Sequence, residues 1–148
     1  MKYVLDTNVI LAYLRKHPVW DKIEGPFGIF ETGTVVYLPA IIGGELRSIA
    51  IQNNWGYTRT VKLQILIKEF VPVTNLYADL VERYAEIDAF SQGRLQEKQL
   101  KDSARNMGKN DLWIAATASV LNATLITTDR DFDHLNEEFL NVARFDLI

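Results

Sequence analysis

Four acidic residues stand where acids are seldom found, each beside an apolar element and not on a polar face. Asp6 follows Tyr3-Val4-Leu5. Glu45 lies within Ala40-Ile41-Ile42-Gly43-Gly44-Glu45-Leu46. Asp111 precedes Leu112-Trp113-Ile114-Ala115-Ala116, and Asp129 follows Leu125-Ile126-Thr127-Thr128. If the fold brings them together, two carboxylates roughly 5 Å apart at an effective dielectric near 20 repel by about 3 kcal/mol. Three or four must hold protons or share a cation. An all-oxygen donor set selects a hard ion, Mg²⁺ or Mn²⁺, and such ions activate water and clamp a phosphoryl oxygen during in-line displacement. Asp131 is a weaker addition to the set. Thr7, Asn8, Thr127 and Thr128 are placed to support the carboxylates by hydrogen bonds.

Each residue also has an ordinary structural use. Asp6 and Asp111 suit helix caps, Asp129 suits a turn, and Glu45 is a common helix residue. Capping and metal binding are compatible.

The elements that would position these acids alternate between strand and helix. Lys2–Leu5 reads as a buried strand. Thr7 and Asn8 are capping types, followed by Ile10, Tyr13 and Leu14 at helical spacing, with Pro18 closing the segment. Gly25 to Gly33 reads as turn. Thr34–Leu38 is a second strand, and a helix is expected from about Ile42 to Gln52, weakened at its start by Gly43 and Gly44. Val61–Val71 fits a helix better than a strand, with a short strand near Phe70–Val73. Asn75 reads as the cap of a helix carrying Tyr77, Leu80, Val81 and Tyr84. Asn110 or Asp111 reads as the cap of a buried helix running to about Leu121, and Ala123–Thr128 as a strand running into Asp129. This α/β order predicts a mostly parallel sheet covered on both faces. Ligands of such sheets sit at the carboxyl ends of the strands, where Asp6 and Asp129 fall.

The 148 residues suit a single domain spanning 1–148. With no cysteine, disulfides and thiolate metal sites are excluded, and two histidines far apart argue against a histidine-rich zinc site. No apolar run approaches the roughly 18 residues of a membrane span, and the opening residues do not read as a signal peptide, so a cytoplasmic protein without membrane association is expected. The net charge of -3 is unusual for a nucleic-acid binder. A bound cation answers that objection, because it would meet the phosphate in place of the protein's own charge. Arg15, Lys16, Arg94, Lys98, Lys101, Arg105 and Lys109 are available for phosphates, although scattered cations usually form a solvated surface. Trp20, Trp55 and Trp113 read as core or interface.

The motifs together resemble a known family. Val4-Leu5-Asp6-Thr7-Asn8-Val9-Ile10 is similar to the opening motif of PIN domains. Gly44-Glu45-Leu46 sits where the second acidic motif belongs. Lys109 to Ala118 resembles the third motif, and Leu125 to Phe132 the closing one. The resemblance covers Tyr3 to Phe132 and is specific through the four motifs in combination. It implies a three-layer α/β/α fold and a metal-dependent endoribonuclease that cleaves RNA by metal-activated water. By resemblance Asp6 and Asp111 are the main metal ligands, Glu45 binds a second ion or orients water, and Asp129 completes the pocket. Small bacterial members are similar to VapC toxins of type II toxin–antitoxin pairs, which implies a homodimer and an antitoxin partner that blocks the site. A housekeeping RNA-processing nuclease and a non-catalytic RNA- or protein-binding module are the alternatives within the fold. Trp20–Gly33 and Ser91–Asn110 are longer than the toxin pattern. A haloacid-dehalogenase-like phosphatase would want a second Asp two residues after Asp6, where Asn8 stands. A receiver-like domain would want a lysine after a late strand, where this chain has Thr127-Thr128-Asp129.

Overall fold

The computed structural model describes residues 1–147. Five strands form one sheet: β1 (Lys2–Leu5), β2 (Val35–Leu38), β3 (Val71–Pro72), β4 (Thr124–Thr127) and β5 (Val142–Arg144). Their order is β3-β2-β1-β4-β5, and all four pairings are parallel. The apolar runs explain the arrangement. Tyr3, Val4 and Leu5 are all buried, because a central parallel strand is covered on both faces.

Helices flank the sheet: α1 (Thr7–Leu14), α2 (Val19–Phe27), α3 (Ala40–Gln52), α4 (Tyr57–Lys68), α5 (Tyr77–Ser91) and α6 (Lys109–Val120). A 3₁₀ segment, Arg130–Leu135, links β4 to β5. Helix α6 buries Leu112, Ile114, Ala115, Ala116 and Ala118, as its nearly uniform apolar composition requires. It packs against α5, where the Tyr84 and Trp113 rings lie 4.3 Å apart. Trp20 and Trp55 pack against the core while staying partly exposed.

Several local expectations are corrected. Thr7 and Asn8 do not cap α1. They are its first residues, and Asp6 is the cap, its side chain accepting from the Thr7 N–H. Nor does Asn110 or Asp111 cap α6. Gly108 does, which moves both into the first turn. Asn75 is not the cap of α5. It takes a positive φ of 61° one residue before the Leu76 cap, a conformation its short polar side chain tolerates. Pro18 does not just end the first helical segment; it opens α2, where its missing N–H has no partner to lose. The glycine-rich stretch is turn only after residue 27. Val19 and Ile23, one turn apart, bury α2 against the core. Gly28 then ends it in the left-handed region at φ 53°, which glycine adopts without a Cβ penalty. The Gly43-Gly44 pair lies inside α3, because Ile42, Leu46 and Ala50 bury one face of that helix and packing outweighs propensity.

The chain runs outward from β1 through β2 to β3, then returns to β4 on the other side of β1. The order reverses between β1 and β4, and a crevice opens past their carboxyl ends.

Candidate active site

Register places the first acid. Leu5 pairs with Ile126, and the Asp6 N–H donates to the Ile126 carbonyl at 2.9 Å. Continuing that register sets Asp6 beside Thr127. The Thr127 hydroxyl donates to Asp6 Oδ2 at 2.7 Å, while Asp6 Oδ1 accepts from the Thr7 N–H at 2.8 Å. Thr127 Oγ1 also accepts from the Asp129 N–H at 3.0 Å, so one buried hydroxyl ties both acids at the ends of β1 and β4. Asp129 accepts from the Asp131 N–H at 2.9 Å and so starts the 3₁₀ turn.

The other two acids come from helices. Glu45 projects from the second turn of α3, and the Thr7 hydroxyl donates to its Oε1 at 2.8 Å. Asp111 sits in the first turn of α6, where free N–H groups and the helix dipole favour negative charge. All four predicted acids line one open cleft of about 640 Å³. Its other lining residues are Thr7, Asn8 and Asn110 beside the acids, and Ala40, Ile41, Gly44, Ser48 and Ile49 along α3. Asp131 stands nearby: Asp111, Asp129 and Asp131 each offer a carboxylate oxygen within 4.8 Å of the others.

The electrostatics are those of crowded carboxylates. Burial pushes the Asp6 carboxyl up from its ordinary 3.8. The Thr127 and Thr7 hydrogen bonds oppose the rise, and Glu45 and Asp129 add to it. Asp111 is pushed up to about 6, first by burial and then by Asp6, Asp129, Asp131 and Glu45. Those four charges are all negative. The ion pairs of Arg83 with Glu86, Lys98 with Glu138, and Arg144 with Asp133 and Asp146 involve none of these four acids. An all-oxygen cluster that burial and mutual repulsion shift toward protonation fits a hard divalent cation.

Of the predicted supporting residues, Thr7 and Thr127 hydrogen-bond to the acids. Asn8 is exposed and lines the cleft. Thr128 makes no hydrogen bond to a site carboxylate among the described residues. The predicted phosphate contacts fare unevenly. Lys98 is held by the Glu138 carbonyl at 2.6 Å and by its carboxylate at 3.4 Å, and it lies over the Phe139 ring. Arg15 and Lys16 follow the far end of α1. Lys109 is exposed at the start of α6, two residues from Asp111. The α3 wall escaped the sequence reading, yet Ile41, Ser48 and Ile49 stand four residues before and three and four after Glu45. Helical spacing alone puts such residues on the face that carries Glu45.

The chain and its fold are similar to known proteins. The family model for the PIN domain matches residues 3–138. Ribonuclease VapC2 of Rickettsia felis is 25% identical over 129 residues, covering 87% of each chain. Ribonuclease VapC1 of Haemophilus influenzae is 27% identical over 142 residues, covering 93% of this chain and 94% of its own. Among solved structures, VapBC2 from R. felis bound to a DNA fragment from its promoter aligns with a TM-score of 0.75 at 24% identity, covering 99% of this chain and all of that one. VapBC-1 from nontypeable H. influenzae aligns at 0.72 and 23% identity, covering 97% and 98%. With a parallel sheet whose switch point gathers the acids, and a family match over nearly its whole length, this chain belongs to the PIN domain family.

Proposed function

We propose that the protein is a divalent-metal-dependent endoribonuclease, acting as the toxin of a type II toxin–antitoxin pair. The convergence of Asp6, Glu45, Asp111 and Asp129 in one cleft, with no cationic partner among the described residues, carries this reading. The names of the relatives, ribonucleases VapC1 and VapC2, supply the substrate class. Asp6 and Asp111 would be the main ligands of Mg²⁺ or Mn²⁺, Glu45 would hold a second ion or orient water, and Asp129 would complete the pocket with Asp131 beside it. Such an ion, when bound, would supply a Lewis acid for a phosphoryl oxygen and lower the pKa of water.

The chain's own residues do the rest. Thr127 and the Thr7 N–H fix both oxygens of Asp6 and favour its ionised form. The Thr7 hydroxyl fixes Glu45. An acidic cleft repels bare phosphate, so RNA would bind only in the metal-loaded state. The relatives solved as VapBC assemblies support an antitoxin partner that covers the cleft, and a homodimer in the cytoplasm completes the proposal, with residues 1–148 as one domain.

The test is cleavage of labelled RNA by the purified protein. Cutting should require Mg²⁺ or Mn²⁺, stop with a chelator, and vanish in Asp6→Asn and Asp111→Asn variants that keep the wild-type circular dichroism. Persistent cleavage by both variants refutes the site assignment, and no cleavage by the wild type in either metal favours the binding-module alternative. Expression in a host lacking the neighbouring gene tests the toxin role. Unimpaired growth alongside active nuclease would mean housekeeping RNA processing.

A further inference from the structure

The cleft has two unlike walls. One holds the carboxylates. The other is a single face of α3: Ala40, Ile41, Gly44, Glu45, Ser48 and Ile49, a set spaced one and three to four residues apart, as one helix face requires. Glu45 faces the acids. Around it, Ile41 and Ile49 stand partly exposed to the cleft, while Ile42, Leu46 and Ala50 carry the core-facing burial of the same helix. The fold therefore does not use Ile41 and Ile49 as fully buried core. Gly44, between them on the cleft face, has open space where a Cβ would stand, which leaves the wall shallow. Ser48 accepts from Gln52 at 2.7 Å, so its own proton is free to donate toward the cleft.

A phosphate and its ion need none of this apolar surface. The part of a nucleotide that does is the base, whose face is apolar and whose edge carries hydrogen-bonding groups. A cleft of about 640 Å³ is in the range that encloses a ligand of nucleotide size. We propose that the Ile41–Ile49 strip seats the nucleobase adjoining the scissile phosphate, with the Ser48 hydroxyl at its edge. Substrate choice is then set at that nucleotide by α3. This rests on the ribonuclease reading and adds to it the residues that determine specificity.

The experiment pairs changes in protein and substrate. Short single-stranded RNA that the wild type cuts is compared with the same oligonucleotide made abasic, in turn, at the nucleotide on either side of the cut. Roughly 60 Å² of base surface withdrawn from water corresponds to about tenfold in kcat/KM. The wild type should lose about that factor with one abasic substrate. Ile41→Ser and Ile49→Ser should lose a similar factor with the intact substrate and little more with the abasic one, so the two losses do not multiply. Ser48→Ala should alter the preference among the four bases at that position while leaving the abasic rate unchanged. Melting curves and Mn²⁺ binding of each variant verify that fold and acids are intact; where Ile41→Ser unfolds, Ile49→Ser and Ile41→Val carry the same comparison. Equal loss on intact and abasic substrates, or no loss on either, overturns the proposal and leaves the nuclease standing; no loss on either is the result expected if the strip docks a protein segment instead. Wild-type protein that cuts no RNA in Mg²⁺ or Mn²⁺ overturns both.

Discussion

Replacing Thr127 with valine isolates the hydroxyl that joins the two strand-end acids. The side chain is fully buried and valine fills nearly the same volume, so the change removes hydrogen bonds with little change in shape. Two are lost: the donation to Asp6 Oδ2 at 2.7 Å and the acceptance from the Asp129 N–H at 3.0 Å. The first goes to a charged acceptor, and such bonds contribute roughly 1.5–3 kcal/mol. Without it the ionised form of Asp6, already opposed by burial and by Glu45 and Asp129, is less favoured. A cation needs that ionised form. A loss of about 2 kcal/mol corresponds to roughly 30-fold weaker metal binding, within the range expected when a partner of a ligand is removed. The assay is the Mg²⁺ or Mn²⁺ concentration giving half-maximal RNA cleavage, measured beside the metal-induced rise in melting temperature. Thr117→Val is the control. It removes a hydroxyl bonded to the Trp113 carbonyl within α6, so it should lower stability without moving the metal midpoint. An unchanged midpoint in Thr127→Val, with folding intact, would refute the linkage between this hydroxyl and the metal site.

Asp111→Asn should raise the melting temperature of the metal-free protein at pH 7.5, because it removes one charge from a cluster of like charges, while abolishing the stabilisation by Mn²⁺; calorimetry with and without the ion reads both. The wild-type Asp111 carboxyl is raised to about 6 in the folded state. Its contribution to stability is thus fully present below about pH 4 and is lost as the pH rises through 6. Denaturant titrations of the metal-free protein should show that loss, and saturating Mg²⁺ should offset it above pH 6. His134 acts in the opposite sense. Burial and the Arg105 charge lower it to about 4, so its contribution is present above 6.5 and falls away as the pH drops toward 4. Asp111→Asn should therefore shrink the loss seen as the pH rises through 6, leaving the part that the raised Asp6 carboxyl contributes, and His134→Gln should remove the decline toward pH 4; matching profiles in the two variants would contradict both assignments. Thr7→Val removes the 2.8 Å bond to Glu45 and should lower kcat several-fold, with a smaller effect on the metal midpoint than Thr127→Val.

The acids could be read from the sequence because each breaks a local rule: a carboxylate directly after or before a buried apolar run needs a reason beyond the element itself. β1, β4 and α6 announced themselves in the same way, being apolar almost throughout. What escaped was decided by tertiary contacts. β5 is three residues whose pairing with β4 supplies its order, and nothing in Val142-Ala143-Arg144 alternates. The end of helix α2, with Gly25 and Pro26, reads as turn, and the helix forms because Val19 and Ile23 find the core. The caps of α5 and α6 were each misplaced by a residue or more, since Leu76 and Gly108 hold those positions by backbone geometry, and at α1 the reading of Asp6 as a cap holds while that of Thr7 and Asn8 does not. Asp6 is the instructive case. The residue taken for a site acid serves as the cap as well, so its Oδ1 is fixed by the helix while Oδ2 is fixed by Thr127.

Whether these carboxylates share a divalent ion is tested directly by diffraction from crystals grown with MnCl₂, recorded near the manganese absorption edge. An anomalous peak within coordination distance of carboxylate oxygens of Asp6 and Asp111, absent from Asp111→Asn crystals, is the expected result. A cleft that holds no manganese at saturating concentration, or manganese bound only at unrelated surface acids, would contradict a shared ion.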